Sequence, residues 1–406
     1  MTVSVLMASR NGIGHLPAAI ASVLRQSHAD LELILSDDGS DDGSPDLVRR
    51  LAAHDPRLRL VLRPDGAAGG ASAARNRALA AARGDWIAVV DGDDLIHPAR
   101  LARMIAAADR LGADLVADDM VFFGTSPGTG GRTLLQPLGL CAPREIDAAA
   151  FLAASGEGGR LPPYGYLKPL IRRAALGDLR YDETLTVGED YDLVLRMLIA
   201  GARYALLPDP TYLYRRHAAS VSHRLSAGAA AAILAAHDRV AEAAPARLAP
   251  ALAGRRPGLV RALAYARLVE AVKARRVGRA ALMLARRPAL ARMLAQSLRE
   301  RLSRAPAAPA ARAGATVRLG AGIPRSLGAP LSIPCPAPPA PGGAWDRPPA
   351  DMAAALSGLS EGCRLMPDAL DAAGEWAAWL LPDAYPGPDA TAAGARSVPQ
   401  PSIGRR

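Results

Sequence analysis

The feature that most constrains the fold of this chain is an alternation of short apolar runs with amphipathic helical segments over its first third. The apolar runs cover residues 3–8, 31–36, 58–62, 86–90 and 114–123. Strands that alternate with helices through short connections form a parallel sheet with helices on both faces. The runs are almost continuously apolar, as in strands buried on both sides. We therefore expect an α/β fold built around a mostly parallel sheet.

Polar or acidic residues follow three of these apolar runs. They begin after Ala8, Ser36 and Val90, where the first, second and fourth predicted strands end. In open parallel sheets, ligands bind beyond the carboxyl ends of the strands. The sequence therefore predicts a binding site at this edge of the sheet.

The segment Asp91-Gly92-Asp93-Asp94 brings three carboxylates together at the end of a buried strand. Like charges this close repel each other unless a cation compensates them. Mg²⁺ or Mn²⁺, held by one or two carboxylates and by substrate phosphates, would provide that compensation. The alternative is that these acids cap the helix that starts near Pro98. The residues by themselves leave both interpretations open.

Three further polar positions also have two interpretations each. Asp38 either accepts hydrogen bonds from a base or ribose, or belongs to an acidic turn before a capped helix. Glu189 and Asp190 open an amphipathic helix, where they either complement the helix dipole or supply a general base. His217 is either a metal ligand or phosphate contact, or a structural histidine.

The order of these segments resembles that of the family-2 glycosyltransferases of the GT-A fold. The resemblance covers residues 3–222, just over half of the chain. Each segment is degenerate alone, and the ordered set is specific. The matching segments are Met7-Ala8-Ser9-Arg10-Asn11, Asp37-Asp38-Gly39-Ser40, Ser72-Ala73-Ala74-Arg75-Asn76-Arg77-Ala78-Leu79, Arg83-Gly84-Asp85-Trp86-Ile87, Asp91-Gly92-Asp93-Asp94, Gly188-Glu189-Asp190 and residues 214–222.

The resemblance implies a pocket for the nucleotide of a nucleotide-diphosphate sugar, with UDP-sugars the expected class. Ala8 and Arg10 would line the nucleoside pocket, and Asp38 would hydrogen-bond the base. Arg75 would lie near the diphosphate or the donor sugar. The family commonly has a tyrosine where this chain has Arg10, so the identity of the base stays open.

The resemblance also implies a metal site and a catalytic base. Asp91 would contact the ribose or sugar of the donor, and Asp93 would hold Mn²⁺ or Mg²⁺ on the diphosphate. His217 would join the metal or diphosphate shell. Asp190 would take a proton from the acceptor hydroxyl, and a single displacement would invert the anomeric centre.

Composition predicts three regions, at residues 1–222, 223–304 and 305–406. We expect a GT-A catalytic domain, an Ala/Arg-rich helical extension and a Pro/Ala-rich, partly disordered tail.

Much of the positive charge lies in the helical extension. The whole chain has a net charge of +10, and between residues 255 and 304 the only acids are Glu270 and Glu300. Helices over 259–302 would therefore suit peripheral contact with an anionic membrane, or else form a solvated hairpin. Pro257 and Pro288 are expected to break this region. Nucleic acid is not an expected partner, because aromatic residues are almost absent there.

The resemblance implies an inverting glycosyltransferase that acts on a saccharide or lipid-linked acceptor in surface polysaccharide or glycolipid synthesis. The alternatives are a nucleotidyltransferase and a non-catalytic nucleotide-sugar-binding relative. The three cysteines have no metal or redox spacing, and the N-terminus has no signal-peptide pattern. We therefore expect a cytoplasmic protein, either soluble or peripheral at the inner face of the membrane.

Overall fold

The computed structural model describes residues 1–63, 69–124, 133–154, 161–216 and 225–302, together with two short strands at 316–319 and 364–367. A nine-stranded sheet forms the centre of the first half of the chain. Its strands are β1 (Val3–Ser9), β2 (Leu31–Asp37), β3 (Leu58–Leu62), β4 (Trp86–Val89), β5 (Leu95–Ile96), β6 (Leu115–Gly124), β7 (Arg144–Ile146), β8 (Leu170–Arg172) and β9 (Tyr204–Arg216). The two short strands, β10 (Thr316–Leu319) and β11 (Arg364–Pro367), pair in parallel with each other.

Helices connect these strands and continue after the sheet. Within the sheet region they are α1 (Leu16–Leu24), α2 (Ser44–Ala52), α3 (Gly70–Ala81), α4 (Arg100–Leu111), α5 (Ala148–Ala154), α6 (Arg173–Leu176) and α7 (Glu189–Ile199). After it come α8 (Ala227–Ala243), α9 (Ala249–Lys273), α10 (Val277–Arg286) and α11 (Ala289–Leu302). This order of elements confirms the expected α/β architecture, followed along the chain by a helical region.

The longest strands run in one direction and form the parallel part of the sheet. The strand order is β3-β2-β1-β4-β8-β6-β9-β5, with β7 on β9. β1, β2, β3 and β4 pair in parallel, as do β6 and β9, whereas β5, β7 and β8 run in the opposite direction. Consecutive residues of β1 and β4 are buried. Since neighbouring side chains of a strand point to opposite faces, both faces of the sheet are covered.

The loops after β1 and β2 are fixed to each other by hydrogen bonds. Asn11 adopts a positive φ of 53°, which asparagine tolerates better than most residues. Its backbone N–H donates to Ser40 Oγ at 2.8 Å, and its side-chain oxygen accepts from the N–H of Asp41 at 2.9 Å. Asp37 accepts from the N–H groups of Gly39 and Ser40 at 3.0 and 2.9 Å. Asp37 therefore shapes the turn, and its neighbour Asp38 points elsewhere.

Strand β8 brings a segment with no sequence signature to the carboxyl edge of the parallel strands. It pairs antiparallel with both β4 and β6. Because it runs against its neighbours, the residues just before Leu170 lie at the edge where β4 ends. Lys168, two residues before β8, is buried there.

The helical region after residue 225 packs partly on the main core, through Val240, Leu248 and Leu252, and partly into two small apolar clusters of its own. α8 and α9 meet through Ala230, Leu263 and Ala266, and α9, α10 and α11 meet around Leu268 and Leu290. The expectation that Pro257 breaks this region is wrong, because α9 continues through it. One break lies instead at 274–276, where Arg275 has a positive φ. The expected break at Pro288 is confirmed, because α10 ends at Arg286 and α11 begins at Ala289. No helix among the described residues is long and apolar enough to cross a bilayer.

Several expectations fall outside the described residues. His217 lies in the segment 217–224, and so does the expected boundary at 222/223. The expected boundary at 304/305 lies in the segment 303–315. The expected disordered tail also lies outside the described residues, apart from β10 and β11.

Candidate functional site

A cavity of about 700 Å³ opens at the carboxyl edge of the parallel strands. The loops after β1, β2 and β4 line one part of it, and the N-terminus of α7 lines another. The residues predicted from the sequence that line this cavity are Ala8, Arg10, Asp38, Arg75, Asp91, Asp93 and Asp190. Residues far apart in the chain therefore converge on one cleft.

Two buried cations and three carboxylates form a connected network across the cavity. Arg75 donates to Asp91 at 2.6 Å and to Glu189 at 2.5 Å, and lies 3.4 Å from Asp190. Lys168 Nζ lies 2.8 Å from Asp91 and 2.7 Å from Asp190. The network thus joins the end of β4, helix α3, the segment before β8 and the start of α7.

The network keeps Asp91, Lys168 and Arg75 charged around neutral pH. Burial opposes ionisation of Asp91, but Lys168 and Arg75 hold the pKa of this carboxyl well below its ordinary value. Burial also disfavours the charged form of Lys168, but Asp190 and Asp91 raise the pKa of its ammonium well above the usual range. The pKa of Arg75 is raised in the same way by Asp190, Asp91 and Glu189, against the effect of its burial.

Helix α7 begins at the cavity because Gly188 turns the chain sharply before it. Gly188 has a φ of 84°, a left-handed conformation that a residue with a side chain adopts only with strain. Glu189 and Asp190 occupy the first turn of the helix, and neither caps it through a side-chain hydrogen bond. Both instead pair with cations of the network. Simple helix capping therefore does not account for these two acids.

The acids after β4 do not cap helix α4, so that interpretation is wrong. Helix α4 begins at Arg100 and has no side-chain cap. Asp94 instead accepts a hydrogen bond from the Tyr212 hydroxyl and one from the N–H of Arg215, each at 2.7 Å. Burial, together with the charges of Asp93 and Asp91, raises the pKa of Asp94 well above its ordinary value. Asp94 therefore anchors the turn to β9, while Asp91 and Asp93 line the cavity.

Asp38 lines the cavity but is already engaged by the chain. Its carboxylate accepts hydrogen bonds from the N–H groups of Gly69 and Gly70 at 2.7–3.1 Å. Arg77 also donates to it, at 2.9 Å. A base that bonded Asp38 would compete with these donors or share the carboxylate with them.

Four residues that line the cavity carried no clear signal in the sequence. They are Tyr166, Lys168, Tyr191 and Arg255. Lys168 is one of only two lysines in the chain and follows an aromatic, glycine-containing segment. The scarcity of lysine was the one available signal for it. Arg255 stands among many arginines and offered none.

The donor chemistry at the cavity fits a hard divalent cation that a substrate helps to bind. Asp91 and Asp93 offer carboxylate oxygens, which Mg²⁺ and Mn²⁺ prefer. Within the described ranges, no group of three or more candidate ligands is close enough to hold a metal by itself. An ion there would therefore take most of its ligands from bound phosphates and water.

Part of this chain is similar to a known protein family. Residues 4–151 match the model of the family described as Glycosyl transferase family 2. The match includes the loops after β1, β2 and β4, whereas Lys168, Asp190 and Arg255 lie beyond it.

Two curated relatives come from Rhizobium meliloti (strain 1021). The succinoglycan biosynthesis proteins ExoO and ExoU are each 35% identical to this chain, over 227 and 228 residues. The alignments cover 55% of this chain, and 63% of ExoO and 65% of ExoU. The chain thus spans slightly less than two thirds of the length of these relatives.

Among solved structures, the chain is similar to S. aureus TarS 1-349 in complex with UDP-GlcNAc. The TM-score is 0.49 with 20% sequence identity, over 59% of this chain and 66% of that one.

Proposed function

We propose that the chain is an inverting glycosyltransferase, which moves a sugar from a nucleotide-diphosphate sugar to a hydroxyl group of a saccharide or lipid-linked acceptor. The supporting observation is that Asp38, Asp93 and Asp190, which belong to three separate segments, line a single cavity. A volume of about 700 Å³ is within the range of ligand pockets, about 300–1,000 Å³.

The loops after β1 and β2 would hold the nucleoside, which in our proposal is uridine. Ala8 and Arg10 form the wall beside the base, and the Arg10 guanidinium can stack on it. Asp38 accepts a hydrogen bond from the base after exchanging part of its contact with Gly69 and Gly70. Asp91 is held by Arg75 and Lys168 in a position to contact the ribose or the donor sugar.

Asp93 would hold a bound Mn²⁺ or Mg²⁺ together with the diphosphate, and His217 would join this shell. When bound, the ion neutralises charge on the diphosphate as it leaves. Arg75 contributes a fixed positive charge from the protein itself, and its contacts with Asp91 and Glu189 keep it in one orientation.

Asp190 would be the catalytic base. Its carboxylate takes the proton of the acceptor hydroxyl while that oxygen bonds to the anomeric carbon and the bond to the diphosphate breaks. Attack from the opposite face converts an α-linked donor into a β-glycoside. Lys168 holds Asp190 Oδ2, so this carboxylate keeps one orientation.

Incubation of the purified chain with a panel of nucleotide sugars and Mn²⁺ tests the proposal. Slow hydrolysis of one donor supports the transferase. Release of pyrophosphate from a nucleoside triphosphate would indicate a nucleotidyltransferase instead, and binding without turnover would indicate a non-catalytic relative. The D190N variant is the matched control, because hydrolysis that survives it does not depend on the proposed base.

The acceptor would be an intermediate of a surface polysaccharide or glycolipid. The names of ExoO and ExoU place those relatives in succinoglycan biosynthesis, which supports this class of product. We also propose peripheral contact with the inner face of the cytoplasmic membrane through residues 259–302. Between residues 271 and 299 the chain has eight Lys and Arg residues and no acid. Such a surface attracts anionic lipid.

A further inference from the structure

Arg255 links the helical region to the cavity. It lies in α9, and among the described residues after 225 it is the one that lines the cavity. The lining beyond the family match also includes Pro163, Gly165, Tyr166 and Tyr191, and we call these four residues the wall. This wall lies beyond the residues that match the family, so the shared motifs do not determine it.

The guanidinium of Arg255 is held by packing and not by an acid. Its central carbon lies 4.1 Å from the centroid of the Tyr191 ring. The same ring stacks on Phe151, with centroids 4.9 Å apart and an angle of 23° between the planes. A Cβ atom on Gly165 would lie only 2.8 Å from Tyr191, so the backbone of this wall also packs closely on the ring. Arg255 therefore has a defined position.

Arg255 lacks the partner that its neighbours have. Arg256 donates to Asp238 at 2.8 and 3.0 Å, and Arg239 pairs with Asp182. No described residue pairs with Arg255, and its Nε is buried without a hydrogen-bond acceptor. Burial also lowers the pKa of Arg255, and no carboxylate among the described residues offsets this effect. A half-buried cation with no counterion among these residues is destabilising unless a ligand supplies one.

We propose that Arg255 binds an anionic group of the acceptor, either a phosphate or a carboxylate. The planar guanidinium fork matches both groups through paired N–H donors. Tyr166, which also lines the cavity, would provide an apolar face for the sugar that carries this group. The inference rests on the proposed function and adds to it the charge class of the acceptor.

The position of Arg255 favours the acceptor over the donor. Its contact residue Tyr191 directly follows Asp190, the proposed base, which must touch the acceptor hydroxyl. The proposed donor residues Ala8, Asp38 and Asp93 instead lie at or just after the carboxyl ends of β1, β2 and β4. An acceptor bound between Asp190 and Arg255 would present its hydroxyl to the base and its anion to the arginine.

Calorimetric titration of the full chain tests this proposal with three probes: glucose 6-phosphate, glucuronate and glucose. Saturating UDP or GDP, whichever binds more tightly, fills the donor pocket during the titrations. We expect at least one anionic probe to bind about 10-fold more tightly than glucose, as expected for a charge-assisted hydrogen bond. The two anions separate a phosphate-bearing from a carboxylate-bearing acceptor.

Three variants assign this preference to the arginine. R255Q should abolish it, R255K should keep part of it, and R256Q, the exposed neighbour paired with Asp238, should leave it unchanged. R255K also shows that a loss in R255Q reflects lost charge and not misfolding, which thermal melting of each variant checks.

The proposal is overturned if neither anion binds more tightly than glucose. It is also overturned if R256Q weakens the preference for the anion as much as R255Q does. Equal weakening of nucleoside diphosphate binding by R255Q would assign the arginine to the donor and would also overturn it. If neither nucleotide binds, the proposed function fails, and the same titrations without nucleotide still decide whether Arg255 holds an anion.

Discussion

Lys168 holds together two carboxylates that come from different parts of the chain. Its ammonium contacts Asp91 at the end of β4 and Asp190 at the start of α7, and all three side chains are largely buried. The K168M variant leaves these two acids with Arg75 as their only cation in the network. Breaking a buried pair by removing one partner typically costs about 3–5 kcal/mol. We expect a loss of stability of this order and a large fall in turnover, measured by urea unfolding and by donor hydrolysis.

The other lysine of the chain provides the matched control. Lys273 is exposed at the end of α9, away from the cavity. K273M should therefore change stability by less than about 0.5 kcal/mol and leave turnover unchanged. Similar losses in K168M and K273M would show that the ion pairs of Lys168 contribute nothing specific.

Asp190 and Asp192 lie in the same helical turn but have different partners. Asp190 faces the cavity, whereas Asp192 accepts a hydrogen bond from Arg196 at 2.8 Å. D190N keeps the shape of the side chain but removes its basicity. We expect sugar transfer to fall by about 10²–10⁴-fold, the usual contribution of a general base. Nucleoside diphosphate binding should persist, and D192N should retain transfer. Full activity of D190N would contradict the proposed role.

At the level of elements, the sequence predicts the parallel strands well and misses the antiparallel ones. The predicted bounds of β1, β2, β3 and β4 agree with the structure within one residue. These strands are long apolar runs between helices, so their pattern is local. β5, β7 and β8 have only two or three residues each, too few to show a period. Their pairing depends on distant partners such as β9, which no local pattern reveals.

The residues of the candidate site also fall into two groups, those whose position follows from the local sequence pattern and those whose position depends on long-range packing. Asp38, Asp91 and Asp93 follow strand ends, so their position at one edge follows from the topology of a parallel sheet. Lys168 and Arg255 reach the cavity through an antiparallel strand and a later helix. The sequence contains both residues but does not determine how these elements pack, so it could not predict their roles.

Pro257 lies inside α9, where it removes a backbone hydrogen bond. Without an N–H group it leaves the carbonyl of Ala253 without its intrahelical donor. Proline costs about 3 kcal/mol relative to alanine in a helix interior, and about 1 kcal/mol of this is offset because it restricts the unfolded chain. P257A should therefore raise the free energy of unfolding by about 2 kcal/mol, measured by urea unfolding.

Pro288 is the control for this prediction, because it lies between α10 and α11 and not within a helix. P288A should lower the free energy of unfolding by about 0.4–1 kcal/mol, because it frees the unfolded chain and relieves no helix. Equal stabilisation by both substitutions would contradict the assignment of the Pro257 effect to the helix interior.

For the whole molecule, the buried His97 makes stability depend on pH. Burial and the nearby Arg103 lower the pKa of His97 to about 3, below the ordinary value of about 6.5. The unfolded chain therefore binds a proton more readily, and folding loses stability as the pH falls below about 6.5. Asp119 acts in the opposite direction, since burial raises its pKa to about 6. The effect of His97 is therefore obtained from the free energy of unfolding of the wild type minus that of H97N, because Asp119 contributes equally to both.

The free energy of unfolding of the wild type minus that of H97N should fall by about 1.4 kcal/mol as the pH is lowered from about 7.5 to about 5.5. Only the wild type has a histidine here that is protonated in the unfolded chain and neutral in the folded one. Urea unfolding at the two pH values measures this fall. A constant difference would mean that His97 is protonated in the folded protein, or neutral in both states.

The charge of the whole molecule is concentrated on the last helices, and this distribution predicts where the protein meets a membrane. Leu282 is 50% exposed on α10 and lies within one turn of the exposed Arg279 and Arg286. Apolar side chains among basic ones can enter an anionic surface, where each basic residue contributes about 1 kcal/mol. Removing both arginines in R279Q/R286Q should weaken binding to phosphatidylglycerol vesicles by about 30-fold, measured by co-sedimentation at low salt.

The matched control removes the same net charge from another part of the surface. Arg50 on α2 and Arg110 on α4 are both exposed, so R50Q/R110Q lowers the net charge equally without touching α10. If α10 lies on the bilayer, this variant should bind almost as the wild type does, because screening limits the attraction to about 10 Å at 0.1 M salt. If vesicle binding weakened equally in the two double variants, the net charge alone would account for the binding. Equally tight binding to phosphatidylcholine would exclude recognition of anionic lipid.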